Sequence, residues 1–283
     1  MKPVRKIGYF APRFTQAVQR LLHRLYTFAA RNGIELYHIE LPKLPALPKL
    51  EEGTDLALCL GGDGTMLSLV RQTSQAGVLL AGVNTGHLGF LSSSTKDQLE
   101  DLLQCLVDGS YEVDERTVIE VVKYDMDGNP ITKPHHALNE VSLMRVQTGK
   151  MVDVDVLVDG KPFNRYHADG ILVATPTGSS AYSLSAGGPL IWPDANVICL
   201  TPICPHSLTN RAVVMPDSAA ITLRPHARRG RVEEQMIFSL DGRMTHPISL
   251  QETLLIRKAD RTVRLVRLPH GDYASRLRSK LGW

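Results

Sequence analysis

Leu56-Ala57-Leu58-Cys59-Leu60, followed at once by Gly61-Gly62-Asp63-Gly64-Thr65, is the stretch that decides the fold. Five apolar residues without alternation read as a strand buried on both faces, and Met66–Gln75 behind the glycines reads as a helix. Three glycines around one acid let the backbone approach a bulky anion, and a helix start adds aligned N–H donors. The acid is the odd element, because a carboxylate repels phosphate. It is better explained by a metal ion, or by a hydroxyl whose proton must be drawn away. The plainer alternative is a glycine-rich turn with Asp63 as the helix N-cap.

Working outward, the first third alternates strands and helices. Val4–Phe10 reads as a strand, Phe14–Asn32 as a helix stopped by Gly33, and Ile34–Leu41 as a strand. Residues 41–48 carry proline at every third position, the pattern of an extended connector. The strand Leu56–Leu60, the glycine loop, the helix and a strand Val78–Val83 make a βαβ unit with parallel strands. That last strand runs into a second glycine loop, Asn84 to Phe90. Two such loops at the carboxyl ends of parallel strands are expected to line one crevice. A helix at Asp97–Val107 closes this part.

From about Thr117 the period changes to two. Val118–Val122, Val152–Val158, Ile171–Ala174, Val197–Thr201, Ala219–Leu223, Met236–Leu240 and Thr253–Ile256 read as short strands, with hairpin turns at Asp127-Gly128 and Asp159-Gly160. The expectation is an α/β, Rossmann-like N-terminal domain with a parallel sheet over 1–116, and an all-β C-terminal sandwich over 117–259. A tail, 260–283, with a strand Thr262–Leu268 and a helix near Tyr273–Leu281, is expected to return to the first domain.

Composition sets bounds. The 283 residues are 43% hydrophobic and 22% charged, with a formal net charge of +3, too small to argue for nucleic acid or an anionic membrane. Cys59, Cys105, Cys199 and Cys204 show no zinc or CxxC spacing and read as buried free thiols. No apolar h-region follows Met1–Lys6 and no stretch approaches bilayer length, so a soluble, cytoplasmic protein is expected. His135-His136 lacks paired metal-ligand spacing, and the basic run 226–231 reads as a solvated hairpin tip. Arg257, Lys258, Arg261, Arg264 and Arg267 read mostly as a solvated sheet face, and Trp192 and Trp283 as packing residues.

Three further segments carry candidate chemistry. Asn139-Glu140 opens a strand, Asp169-Gly170 precedes another, and Thr175 to Pro189 is rich in small residues and hydroxyls. Such a loop suits a flat polar molecule, with Tyr182 available to stack on a base. Read singly, these are a turn residue, a hairpin and a loop packed with small side chains.

Taken together, Gly61-Gly62-Asp63-Gly64-Thr65, Asn84 with Gly86 and Leu88-Gly89-Phe90-Leu91, Asn139-Glu140, Asp169-Gly170 through Gly188, and the closing Lys280-Leu281-Gly282-Trp283 resemble the bacterial NAD kinases. The glycine-acid loop alone is shared with phosphofructokinases and diacylglycerol-type lipid kinases; the Asn-Glu pair and the long hydroxyl loop single out the NAD kinases. The resemblance implies transfer of the γ-phosphoryl of ATP to the 2′-hydroxyl of the adenosine ribose of NAD, giving NADP. It also implies a divalent cation (Mg²⁺ or Mn²⁺) held mainly by the ATP phosphates, and self-association, as a homotetramer or homodimer. By the same likeness Asp63 is the base, Gly61, Gly62, Gly64 and Thr65 meet the ATP phosphates, and Asp63 and Gly64 also touch NAD. Asn139, Glu140, His167, Asp169, Thr177, Ser180, Ala181, Tyr182, Ser183, Leu184 and Ser185 form the NAD pocket. His167 stands where relatives carry Arg, Ser180 where Thr is usual, and Arg243 in Asp241-Gly242-Arg243 where relatives carry Gln. The competing readings are a non-catalytic NAD(P) sensor and a lipid kinase sharing the glycine loop, the latter wanting a membrane-facing segment that the sequence lacks.

Overall fold

The computed structural model describes residues 1–40, 49–86, 89–146, 151–226, 236–269 and 272–283. The proline-rich connector 41–48, His87 and Leu88 of the second glycine loop, and most of the basic run lie outside the described residues. The chain divides into two compact units, one of residues 1–115 and 262–283, the other of residues 116–261.

The first unit opens with β1 (Lys6–Phe10), α1 (Gln16–Asn32), β2 (Glu35–His38), β3 (Leu56–Leu60), α2 (Asp63–Ala76) and β4 (Leu79–Asn84). A short β5 (Ser94–Thr95) and α3 (Leu99–Asp108) follow. Thr15 caps α1 through its hydroxyl, which accepts from the Val18 N–H, and Gly33 ends the helix at φ 64°. β2, β1, β3 and β4 pair in that order, all parallel. Every residue of β3 and β4 is buried, as a parallel sheet covered on both faces requires.

β6 (Glu112–Tyr124) leads into the second unit, where β7 (His135–Ala137), β8 (Glu140–Arg145), β9 (Val152–Val158), β10 (Lys161–Ala168) and β11 (Gly170–Ala174) follow. After a single helical turn, Thr177–Ser180, and the four-residue α4 (Tyr182–Ser185) come β12 (Val197–Ile203), β13 (Val213–Pro216), β14 (Ile221–His226), β15 (Met236–Leu240) and β16 (Met244–Ile248). One layer pairs β10, β9, β14 and the start of β17 (Thr253–Arg267), all antiparallel. The other is a six-stranded antiparallel sheet, β13-β12-β11-β8-β15-β16. Alternate residues such as Val154, Val156, Leu143, Ile171 and Phe238 share one apolar core between the layers. Asp159 and Gly160, at φ 50° and 75°, form the tight turn of the β9–β10 hairpin.

The second half of β17 returns to the first unit, where Leu265 pairs in parallel with Leu80 of β4. α5 (Tyr273–Leu281) ends the chain, capped by the Asp272 carboxylate, which accepts from the Ala274 and Ser275 N–H groups. The α/β fold with a parallel sheet, joined to an antiparallel β sandwich, is therefore the architecture.

Several expectations need correction. Cys59 and Cys199 are buried, but Cys105 is only partly covered and Cys204 is exposed; all four are free. Trp192 and Trp283 are 51% and 73% exposed, so neither is a core residue. Arg267 is 7% exposed and does not sit on a solvated face. No described helix is long and apolar enough to cross a membrane.

Candidate functional site

In the first unit, α2 begins at Asp63 itself. Gly62, extended at φ −86° and ψ −178°, is the N-cap. Asp63 is thus the first helical residue, correcting its alternative reading as a cap, and the helix starts earlier than Met66. Its carboxylate accepts three hydrogen bonds from the second glycine loop: Phe90 N–H to Oδ2 at 2.7 Å, and Leu91 N–H and the Ser92 hydroxyl to Oδ1, each at 3.2 Å. Asn84, at the end of β4, donates through Nδ2 to Ser92 Oγ at 3.3 Å and accepts the Gly86 N–H at 2.8 Å. The two loops at the carboxyl ends of β3 and β4 therefore meet, through the acid. Bonds to a charged acceptor are worth about 1.5–3 kcal/mol each, enough to hold the carboxylate in one orientation.

The glycines divide by what they are for. A Cβ on Gly89 would lie 1.8 Å from Asp63 Oδ1, and one on Gly61 would lie 2.5 Å from Thr65 Oγ1. Those two are glycine because the fold has no room. A Cβ on Gly62 meets nothing within 4 Å, so packing does not explain that glycine. Among the described residues no group of three His, Cys, Asp or Glu could hold a metal ion. Arg267, which the sequence reading put on a solvated face, and Arg276, which it did not single out, hydrogen-bond the carbonyls of residues 89–92.

In the second unit, Asn139 and Glu140 stand at the start of β8, with Glu140 opposite Ala174 of β11. Asp241, in the turn after β15, accepts the N–H groups of Leu138, Asn139 and Glu140 at 3.1, 2.7 and 3.2 Å. Nothing in the spacing flagged Asp241 as the anchor of the Asn-Glu pair. Its φ of 50° lets the turn fold the carboxylate back onto the strand start. Thr175 closes the other side, its hydroxyl donating to the Leu138 carbonyl at 2.5 Å and its N–H to the Asn139 carbonyl at 2.9 Å.

Asp169 is the one residue between β10 and β11, and so between the two layers; it pairs with Arg145 at 2.8 Å. His167 Nδ1 lies 2.7 Å from the buried Asp153 carboxylate. Thr177 is buried and accepts from the Arg116 guanidinium at 3.1 Å, while the Ser180 hydroxyl donates to the Thr177 carbonyl at 3.2 Å. Ser183 is fully buried against Thr201, with 3.0 Å between the hydroxyls, so its side chain faces the core. Ala181 and Leu184 are half-buried, and Tyr182 and Ser185 are exposed.

Glu140 carries the second unit's electrostatic signature. It is 4% exposed, and among the described residues Oε2 has no hydrogen-bond partner. Burial first, and the Asp241 carboxylate second, push its carboxyl up to about 8. Asp241 is also raised by burial, an effect that its three N–H donors oppose. A carboxyl raised on folding destabilises the fold as pH climbs from its unfolded value towards its folded one. Below about pH 4.5 nothing is lost; by pH 8 the loss reaches a few kcal/mol. Glu140→Gln is therefore expected to melt higher than the parent at pH 8, the gap closing towards pH 5. Calorimetric melts across that range check it, and a gap independent of pH would contradict it.

Residues 14–111 match the family model described as the ATP-NAD kinase N-terminal domain, and residues 138–268 match the ATP-NAD kinase C-terminal domain. The chain is 38% identical over 231 residues to an NAD kinase of Sulfurimonas denitrificans, covering 81% of this chain and 78% of that protein. It is 34% identical over 287 residues to an NAD kinase of Geotalea daltonii, covering 99% of each. Among solved structures it superposes on yeast NADH kinase complexed with NADH, with TM-score 0.86, 24% identity, and 99% and 88% of the two chains covered. An NAD kinase from Archaeoglobus fulgidus in complex with ATP gives TM-score 0.78 at 24% identity, covering 98% of each chain. Both share the fold.

Proposed function

The chain belongs to the NAD kinase family and carries that family's phosphotransferase activity, and from that premise we propose that Asp63 is the general base of the transfer. The phosphoryl donor is ATP and the acceptor is the 2′-hydroxyl of the adenosine ribose of NAD. As that oxygen attacks the γ-phosphorus, Asp63 takes its proton, the bond to the β,γ-bridging oxygen breaks, and ADP and NADP leave. The observation that carries this reading is the Asp63 carboxylate, fixed by three donors beside a glycine, Gly62, that packing leaves unexplained. Phosphoryl transfer asks mainly for such positioning, together with charge neutralisation.

A divalent cation held mainly by the ATP phosphates would supply that neutralisation. Gly61, Gly62, Gly64 and Thr65 present the start of α2 to the phosphates. In the second unit Asn139 and Glu140 hold the adenosine end. Protonated, Glu140 can also donate a hydrogen bond to a ribose oxygen. His167, Asp169, Thr177, Ser180, Ala181, Tyr182, Leu184 and Ser185 complete the NAD contacts, with Ser183 supporting them from the core. Family membership also supports a homotetramer in the cytoplasm; equilibrium sedimentation measures the former.

Purified protein is expected to form NADP from NAD, ATP and Mg²⁺, followed through a coupled NADP-specific dehydrogenase. Binding of NAD without any product would return the protein to the sensor reading.

A further inference from the structure

Two guanidinium groups near the end of the chain are buried in the first unit. Arg267, the last residue of β17, is 7% exposed, and Arg276 of α5 is 9% exposed. A buried guanidinium persists only where its donors are satisfied. Arg267 donates Nη2 to the Phe90 carbonyl at 3.0 Å, Nη1 to those of Leu91 at 3.2 Å and Ser92 at 2.8 Å, and Nε to Asp114 at 3.1 Å. Arg276 donates Nη1 to the carbonyls of Ser92 at 2.5 Å, Gly89 at 3.3 Å and Phe90 at 3.5 Å.

The same peptide groups face Asp63 on their other side. The Gly89 carbonyl and the Phe90 N–H belong to one peptide group, with Arg276 at its oxygen and Asp63 at its hydrogen. The Phe90 carbonyl and the Leu91 N–H belong to the next, with both arginines at its oxygen and Asp63 at its hydrogen. Two peptide dipoles thus bridge in parallel, each with its carbonyl at a guanidinium and its N–H at the Asp63 carboxylate. A cation at the carbonyl polarises the N–H at the far end, so each link strengthens the next. Arg276 and Leu277 are the buried residues of α5, and the Tyr273 ring meets that of Phe90.

We propose that Arg267 and Arg276 are positioning residues that fix Asp63 through the peptide groups of residues 89–92, which makes the C-terminal segment part of the catalytic apparatus. The inference rests on Asp63 being the general base. It gives β17 and α5 a task beyond completing the sheet.

The test is a double-mutant cycle on the full chain. Arg276→Ala and Arg267→Ala are each expected to lower kcat about 10–100-fold, with KM for NAD changed less than about threefold. In an Asp63→Asn background, Arg276→Ala costs less than about twofold more. An equal loss of kcat in both backgrounds would overturn the inference, since the arginine would then act independently of Asp63. Full turnover by Asp63→Asn alone would instead remove the base, and this inference with it. If the alanine variants do not fold, Arg276→Lys and Arg267→Lys keep the charge but not the forked contact. Each is expected to lose about tenfold in kcat, and unchanged kcat in both would also overturn the proposal.

Discussion

Asp63→Asn is expected to lower kcat by about 10²–10⁴-fold while leaving NAD affinity within about tenfold. The amide is nearly isosteric but cannot take the proton that the attacking hydroxyl must lose. It also disturbs its own support. Both carboxylate oxygens accept bonds in the native protein, from Phe90 on one side and from Leu91 and Ser92 on the other. An amide presents an oxygen to only one of these sides, so an N–H or hydroxyl is left against an NH₂ group. That mismatch costs about 1–3 kcal/mol and is expected to lower the melting temperature by a few degrees. The two effects separate when kcat is measured per mole of folded protein, well below the melt. Turnover within tenfold of the parent under those conditions would take Asp63 out of the proton transfer and leave it as the clasp between the two glycine loops.

The interior of the fold was legible in sequence, and its edges and anchors were not. β3, β9, β15 and α5 fall where pattern reading puts them, because each is marked by an uninterrupted apolar run, clean alternation or a helical period with a cap. β10, β13 and β16 were missed. All three are edge strands, and all carry proline, at Pro162, Pro216 and Pro247. Proline demotes a segment when read in isolation, yet a sheet edge is where a strand without a full set of donors survives. β6 was read as a short piece, Val118–Val122, and β17 as two, Thr253–Ile256 and Thr262–Leu268, but they run unbroken over Glu112–Tyr124 and Thr253–Arg267. Their charged stretches look like loop until their partners are known: Asp114 meets Arg267, and Arg116 meets Thr177.

The candidate site divides in the same way. Residues that resemble a family pattern, such as Asp63 and the Asn139-Glu140 pair, can be read from the chain. Residues that hold them cannot, because the contact is between a side chain and a distant backbone. Asp241 grips three N–H groups about a hundred positions away, and Arg267 and Arg276 grip carbonyls nearly two hundred away. A backbone partner leaves no mark on residue type, so no motif records it. The exception is glycine, where close approach excludes every side chain.

That exception yields the last test. Gly178→Ala is expected to be among the most damaging single substitutions in the second unit. A Cβ there would sit 2.0 Å from the Asn139 carbonyl oxygen, 2.4 Å from its carbon and 2.7 Å from its Cα. All three are backbone atoms, so no rotamer change relieves the clash. The Asn139 backbone is itself held by Asp241 from one side and Thr175 from the other. Moving it breaks hydrogen bonds to the half-buried Asp241 carboxylate, and the added cost exceeds the roughly 1–3 kcal/mol usual for overpacking. The expected result is a protein that melts at least about 10 °C lower, with KM for NAD raised about tenfold or more where it folds. Gly62→Ala is the counterpart. Its Cβ meets open space and its φ of −86° suits any residue, so the melt should be unchanged within about two degrees. If Gly62 is glycine to let a triphosphate approach, KM for ATP should rise in that variant while KM for NAD holds. A normal melt for Gly178→Ala would mean that the Asn139 strand start yields more easily than its hydrogen bonds imply. A normal KM for ATP in Gly62→Ala would mean that the nucleotide does not approach the start of α2 closely.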